Sequence, residues 1–234
     1  MFKRKFLKLK LEQMLKNAGE YTKAKVTAAK YLPYLKFDDR TYRIKNLRNN
    51  VGEAYRQSQR INIDSNHLEN HEQYDVLDTI IHENVHLLEN LFMVRDVMMH
   101  GNKEHSMAWQ VMANDFDLSL PSLTYYCQSC EGWRPRYYND NISYESCSRC
   151  GRMIQTQNVC FINLDHYLSD KSCEIVKNVL NSTIEKSDEL LVKYENKILF
   201  IFKRKFFTVN AEIDNGVGKL TFTELTSDVL NEFR

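Results

Sequence analysis

The sequence predicts an α+β protein that consists of three successive parts. Three observations carry this prediction: apolar residues at helical spacing in the first half, strand-like runs near 53–64 and 198–222, and two closely spaced cysteine pairs between them. We assign residues 1–122 to a domain of helices and a small sheet, 123–155 to a cysteine-containing segment, and 156–234 to a small α+β appendage.

The composition is typical of an ordinary soluble globular protein. Of the 234 residues, 43% are hydrophobic and 27% are charged, and Gly and Pro are few. No apolar run approaches the ~20 residues that a membrane-spanning helix needs. The basic start at residues 1–6 is not followed by a cleavable apolar segment. We therefore expect a cytoplasmic protein that has no membrane partner.

The net charge of +1 conceals a basic amino-terminal segment. Residues 1–36 hold ten Lys or Arg and two Asp or Glu, a net charge of +8, so the remainder carries −7. Such a segment suits nucleic acid or another acidic surface. It fits a solvated amphipathic helix equally well.

Helices and short strands alternate through the first domain. Apolar residues among lysines indicate an amphipathic first helix, and a proline follows the second. The predicted elements, in order, are helices over 5–17 and 18–31, strands near 53–55 and 61–64, a turn at 64–66, and helices over about 72–95 and 105–117.

The predicted helix over 72–95 carries a chemical motif, His82-Glu83-Asn84-Val85-His86. Two histidines four residues apart lie on one face of a helix and can hold one Zn²⁺ together. Glu83 stands between them, where it can serve as a base rather than as a ligand. The alternative is a core helix with two hydrogen-bonded histidines.

A catalytic zinc usually has three protein ligands and one open position, so a third ligand is expected after this helix. The candidates are His100, Glu104 and His105. We favour His105, because at the start of the predicted helix its ring can point back toward the motif, with Trp109 one turn later behind it. His100 could lie at the surface, and Glu104 would define a different class of zinc peptidase.

Four of the six cysteines form two C-x-x-C pairs, Cys127 with Cys130 and Cys147 with Cys150, and sixteen residues separate the pairs. This spacing, in a chain without a signal peptide, is typical of a zinc ribbon rather than of a disulfide framework. We therefore predict one structural Zn²⁺ bound by these four thiolates. Cys160 and Cys173 are expected to be free thiols.

The predicted ribbon is rich in aromatic residues and arginine. Such a mixture can stack on bases and contact phosphates, and the candidate nucleic-acid contacts are Trp133, Arg134, Arg136 and Tyr137. The alternative is aromatic packing around a small zinc site.

The last part of the chain shows no chemical motif. Residues 164–190 have a helical pattern, and apolar runs predict strands at 198–202, 206–209 and 219–222. Asp214-Asn215-Gly216 predicts the turn before the last of these strands.

The order of these motifs resembles the SprT-like family over roughly residues 15–155. The matching stretches are 51–55, 61–64, 79–86, 105–109 and the two cysteine pairs. The resemblance implies a zincin-like metallopeptidase fold for residues 1–122, with zinc ligands His82, His86 and His105 and with Glu83 as the catalytic acid/base. Ser106 stands where the family usually has glycine.

The sequence and the resemblance together predict a zinc-dependent metalloprotease with one catalytic and one structural Zn²⁺. The family includes eukaryotic members that cleave proteins crosslinked to DNA and are switched on by DNA. We expect a protein substrate associated with DNA, and DNA itself, single-stranded by preference, as a partner. The alternatives are a nucleic-acid-binding or transcription-associated adaptor with a non-catalytic zinc site, and another metal hydrolase. The intact Glu83 speaks against the adaptor.

Overall fold

The computed structural model divides the chain into two units. The first comprises Met1–Arg95, Asp115–Leu118 and Glu212–Lys219, and the second comprises the rest. The structure describes residues 2–92, 98–99, 102–118, 124–127, 132–135, 144–146, 153–155, 160–163, 185–187, 198–202 and 205–225.

The first unit begins with a long helix, α1 (Phe2–Ala24). The predicted first helix is confirmed, but α1 continues as far as Ala24, into the range 18–31 assigned to a second helix. The chain leaves the helix only at Lys25, whose backbone is extended, and α2 (Val26–Ala29) is a single turn before a 3₁₀ turn at Leu32–Tyr34. The inner face of α1 buries Leu7, Leu11, Met14, Leu15 and Ala18, whereas Phe6 and Leu9 are exposed.

A three-stranded sheet follows, formed by β1 (Tyr42–Lys45), β2 (Gly52–Tyr55) and β3 (Arg60–Asp64). The strand order is β1-β3-β2, with β1 parallel and β2 antiparallel to β3. The central strand β3 is buried from Ile61 onward, while β2 is an edge strand. The two strands predicted from the sequence are confirmed as β2 and β3.

Asp64 ends β3 and caps the next helix, α3 (Ser65–Asn70). Its side chain accepts hydrogen bonds from the backbone N–H groups of Asn66 at 2.9 Å, His67 at 2.8 Å and Leu47 at 2.7 Å. The turn predicted here is therefore wrong. The same residue types favour turns and helix N-caps, and in this chain they begin a helix.

The central helix α4 (Gln73–Leu88) contains the motif. It is shorter than predicted, because a 3₁₀ turn at Glu89–Leu91 follows it directly. Its packing partners are α1 on one side and β2 and β3 on another. Most of its surface is therefore inaccessible to solvent.

Residues 115–118 and 212–219 complete the first unit. The hydroxyl of Tyr21 donates to the carbonyl of Phe116 at 2.9 Å, and that of Tyr31 donates to the Asp115 carboxylate at 2.6 Å. Gly218 forms a β-bridge with Phe92. Segments distant in sequence thus contribute to the unit that contains α4.

The second unit begins with a pair of antiparallel strands, β4 (Met98–Met99) and β5 (Asn102–Ser106), followed by helix α5 (Met107–Asp115), whose last residue belongs to the first unit. The predicted helix over 105–117 is therefore shorter than expected at both ends. Two further antiparallel pairs are β6 (Thr124–Cys127) with β7 (Gly132–Pro135), and β8 (Tyr144–Ser146) with β9 (Met153–Gln155).

A five-stranded sheet follows in the order β10-β12-β13-β14-β11. Its strands are β10 (Cys160–Asn163), β11 (Glu185–Ser187), β12 (Ile198–Phe202), β13 (Lys205–Asp214) and β14 (Val217–Leu225). The three predicted strands are confirmed as β12, β13 and part of β14. Asn215 and Gly216, with φ of 48° and 78°, form the predicted turn. The helix predicted over 164–190 is wrong where the structure describes it, because β11 lies there.

The mixture of helices and small sheets confirms the predicted α+β class. Within the described part of the chain, no helix has both the length and the apolar character that crossing a membrane requires.

Substitution Asp64→Ala is expected to lower the free energy of unfolding by about 2–3 kcal/mol, because three backbone N–H groups lose their acceptor. Burial alone would raise the pKa of Asp64, but these hydrogen bonds lower it overall. The stabilisation is therefore present above the unfolded pKa of ~3.9 and is lost as pH falls through the lower folded value. Denaturant unfolding between pH 7 and pH 2 measures both effects.

Asp39→Ala is the matched control. Asp39 is exposed and forms only a surface ion pair with Lys8 at 3.7 Å among the interactions described for it. Its removal should change stability by less than ~0.5 kcal/mol. A similar loss in both variants would contradict the capping argument.

Candidate metal centre

Helix α4 presents its two histidines on one face. The rings of His82 and His86 lie with their centroids 5.0 Å apart, edge to face. His86 is buried and His82 is partly buried. The i, i+4 spacing therefore brings both imidazoles to one side of the helix, as the motif predicts.

His105 is the second-last residue of β5 and precedes α5, whereas the sequence predicts it at the start of a helix. Its ring centroid is 3.9 Å from that of Trp109, which is fully buried. The hydroxyl of Ser106 accepts a hydrogen bond from the backbone N–H of Trp109 at 3.2 Å. The expectation that Trp109 packs on the His105 ring is confirmed, although a strand delivers the histidine.

Ligand atoms of His82, His86 and His105 all lie within 4.8 Å of one another. A tetrahedral Zn²⁺ binds histidine nitrogen at about 2.0–2.1 Å, which places its ligand nitrogens about 3.4 Å apart. The three imidazoles therefore fit one ion after a small adjustment of the rings. His100 lies outside the described residues, as does the side chain of Glu104.

The pKa of His82 indicates that its imidazole is neutral. Burial, and secondarily the nearby His86, lowers this pKa to about 3. A neutral imidazole keeps a lone pair, and this is the form that binds a metal ion. The donor set thus suits a borderline cation such as Zn²⁺ better than a hard, oxygen-seeking one.

Glu83 lies on the same helix and is also buried. The backbone of β2 passes directly beside it at Gly52. A Cβ atom added to Gly52 would come within 2.7 Å of Glu83 Oε1 and within 2.8 Å of Thr79 Cγ2. A glycine is therefore required for the carboxylate to occupy its position against the sheet.

Residues 11–125 of the chain match the model of the SprT-like family. This segment is an SprT-like domain. Metalloprotease-type chemistry is what the family suggests for it. No curated protein and no solved structure gave a significant match to the chain.

The SprT-like domain surrounds His86 with two charged residues that the sequence analysis missed. Glu89 Oε2 lies 2.8 Å from His86 Nδ1, and Arg56 Nη2 lies 2.5 Å from the same oxygen. Glu89 follows His86 by three residues, which places it on the same side of the helix end. This i, i+3 spacing could have been noticed, but no local pattern connects Arg56 with it.

The domain match ends at residue 125, so it leaves the predicted zinc ribbon untested. Cys127 ends β6 and Cys130 precedes β7, while Cys147 and Cys150 lie between β8 and β9 in sequence. The four thiol groups lie outside the described residues. Their zinc-binding function stays a prediction.

The candidate nucleic-acid contacts are described in part. Trp133 and Arg134 are consecutive residues of β7 and pair in register with Tyr126 and Tyr125 of β6. Arg136 and Tyr137 lie outside the described residues. Their contact with nucleic acid stays a prediction as well.

Substitution Gly52→Ala is expected to lower the free energy of unfolding by about 1–3 kcal/mol, because the added methyl group overpacks against Glu83 and Thr79. Gly19→Ala is the control, and its effect on stability should have the opposite sign. Gly19 lies within α1, and a Cβ atom added there would meet Phe37 Cδ2 only at 3.6 Å. Alanine should stabilise the helix there by about 0.5–1 kcal/mol. Denaturant unfolding compares the two, and equal signs would contradict the close approach at Gly52.

Proposed function

We propose that the SprT-like domain is a zinc-dependent metalloprotease. One observation carries the proposal: three histidine ligand atoms within 4.8 Å of one another, with a buried glutamate between two of them on one helix. Three histidines leave one coordination position open, as in catalytic rather than structural zinc sites. His82, His86 and His105 would hold the ion.

A bound Zn²⁺ would supply the positive charge that polarises a peptide carbonyl and makes water a stronger nucleophile at neutral pH. Glu83 is the residue of this chain that would accept the proton of the attacking water and deliver it to the departing amine. The close approach of Gly52 limits where its carboxylate can lie, which favours a fixed orientation toward the ion.

A structural or vestigial zinc site is the competing interpretation. A structural zinc has no need of a carboxylate that is not a ligand, and structural sites normally have four protein ligands. The metal-ligand group found among the described residues contains three histidines and does not include Glu83. As a proton acceptor, this carboxylate would have a direct role in hydrolysis.

The decisive experiment compares Glu83→Gln with the wild-type protein in casein cleavage and in self-cleavage. The amide cannot accept a proton from water, so turnover should fall at least 100-fold while zinc content is unchanged. Glu72→Gln is the control, because Glu72 is exposed at the N-cap of the same helix and its side chain makes no capping hydrogen bond. Undiminished turnover in Glu83→Gln would refute the proposed mechanism.

Metal analysis of the same preparations tests the ligand set. We also propose a structural Zn²⁺ on Cys127, Cys130, Cys147 and Cys150, so the wild-type chain should contain about two ions. His105→Ala should then contain about one.

We further propose that the substrates are proteins associated with DNA. The support is the +8 charge of residues 1–36 and the arginine and aromatic residues near β7. In the first unit of the structure, Lys3 pairs with Glu69 at 2.6 Å and Lys8 with Asp39 at 3.7 Å. The two lysine side chains remain 68% and 63% exposed, so these pairs leave them accessible to a phosphate backbone.

Binding of single-stranded DNA should weaken steeply as salt rises, because phosphate contacts release counterions. Arg134→Ala and Arg136→Ala should each lower the slope of log K against log salt by about one. Trp133→Ala or Tyr137→Ala should weaken binding without changing this slope, since each removes base stacking. A fluorescence titration from ~50 mM salt upward measures these effects. Absence of binding at low salt would remove DNA from the proposal and leave the protease.

A further inference from the structure

Arg56, Glu89 and His86 form a cluster beside the proposed ligand face of α4, in which His86 and Glu89 are buried and Arg56 is partly exposed. His86 Nδ1 lies 2.8 Å from Glu89 Oε2, Arg56 Nη2 lies 2.5 Å from the same oxygen, and Arg56 Nη2 lies 3.2 Å from His86 Nδ1. Glu89 is 1% exposed. The cluster therefore combines a buried carboxylate, a cation and one imidazole nitrogen at hydrogen-bonding distance.

We propose that Glu89, held in place by Arg56, is a positioning residue that fixes the tautomer and the orientation of the His86 ring. Glu89 accepts the hydrogen bond of His86 Nδ1–H and so leaves the lone pair on Nε2 for a metal ion. This inference rests on the proposed metal site and extends it beyond the three ligands.

Two hydrogen-bond arrangements compete at His86 Nδ1. The nitrogen either donates to Glu89 or accepts from Arg56, and the second arrangement would put the proton on Nε2, where it would block a metal ion. The carboxylate is 0.4 Å nearer than the guanidinium, and Arg56 Nη2 already donates to Glu89. Donation to Glu89 is therefore the favoured arrangement.

Local backbone structure holds both charged residues in place. Glu89 begins the 3₁₀ turn that follows α4, so its side chain stays next to His86 one turn earlier. Arg56 belongs to the turn between β2 and β3, and its carbonyl accepts a hydrogen bond from Asn90 at 3.2 Å. Gln59, with φ of 51°, donates to the same carbonyl at 2.8 Å. The hairpin is thus tied to the helix end through main-chain and side-chain contacts.

The burial of the Glu89 carboxylate in this ion pair is better explained by positioning than by stability. Removing the Glu89 charge from water costs about as much as its attraction to Arg56 returns, so the pair adds little net stability. A carboxylate that is hydrogen-bonded to the second ring nitrogen of a metal-binding histidine has a recognised function. It fixes the ring and makes the ligand more basic, and its loss typically weakens metal binding about 10- to 100-fold.

The test measures zinc affinity by competition with a chromophoric chelator, using the full chain. The ion assigned to the histidine site is the one that is absent in His82→Ala. Glu89→Gln keeps the side-chain volume and should raise the zinc dissociation constant at this site about 10- to 100-fold. Arg56→Gln should weaken binding in the same direction. The double variant should be no weaker than Glu89→Gln alone, because Arg56 acts through Glu89.

Long-range ¹H–¹⁵N correlation spectra of the metal-free protein provide a readout that stability does not affect. Wild-type His86 should carry its proton on Nδ1, and Glu89→Gln should populate the Nε2–H form. Asp64→Asn is the control, because it replaces another buried, hydrogen-bonded carboxylate by an amide. This variant should have a lower melting temperature, whereas its zinc affinity and its His86 tautomer should be unchanged.

The outcomes separate this inference from the proposed function. Zinc affinity within twofold of wild type in Glu89→Gln, with His86 still protonated on Nδ1, would overturn the positioning role and leave the protease standing. If the wild-type protein contains no ion that is missing from His82→Ala, both the positioning role and the proposed protease would be overturned. Should Glu89→Gln fail to fold, Arg56→Gln decides, because this side chain is 34% exposed and its loss is better tolerated.

Discussion

The anchoring of α4 by the buried side chain of Asn84 is the constraint on which the candidate metal centre depends. Asn84 Oδ1 accepts the backbone N–H of Lys36 at 2.8 Å, and Nδ2 donates to the hydroxyl of Tyr42 and to the carbonyl of Ile80 at 3.1 Å. Tyr42 begins β1 and is itself buried, and burial raises its pKa well above the ordinary value. It therefore stays a neutral hydroxyl that can accept this hydrogen bond. One side chain thus joins the helix to the sheet and to the segment before it.

The anchor and the ligands occupy opposite faces of the same helical turn. Asn84 is two residues from each histidine, which corresponds to about 200° of rotation around the helix axis. The face opposite the ligands is therefore fixed by hydrogen bonds. An apolar contact tolerates sliding, whereas an amide with several partners does not. The motif thus contains its own anchor in addition to the proposed ligands and the proposed base.

The β2–β3 hairpin has a second influence on this helix. Gly52 leaves room for Glu83, and Arg56, in the turn after β2, pairs with Glu89. The positions of Glu83 and of one proposed ligand, His86, therefore depend on residues four positions apart on one hairpin. Because β2 and β3 pack against α4, a displacement of this hairpin would disturb both together.

The sequence predicted what local patterns can encode. Helical spacing of apolar residues indicated α4, which contains the motif, and strand-like runs indicated β2 and β3. The prediction from sequence failed where one residue type favours two structures, as at Asp64, which caps a helix instead of forming a turn. It also failed for contacts between distant residues. Arg56 and Glu89 are 33 positions apart, and no periodicity connects a turn arginine with a glutamate after a helix.

The hairpin of β13 and β14 also makes contacts that sequence patterns do not predict, over a larger separation along the chain. Its tip, Glu212–Lys219, belongs to the unit that contains α4. Tyr34 donates a hydrogen bond to the carbonyl of Ile213 at 3.2 Å. Gly218 approaches Phe92 so closely that an added Cβ would lie 2.5 Å from the ring. Phe92 directly follows the 3₁₀ turn that begins with Glu89. Arg56 therefore contacts one end of this turn and Gly218 the residue after its other end, so the position of the Glu89 carboxylate depends on parts of the chain that carry no motif.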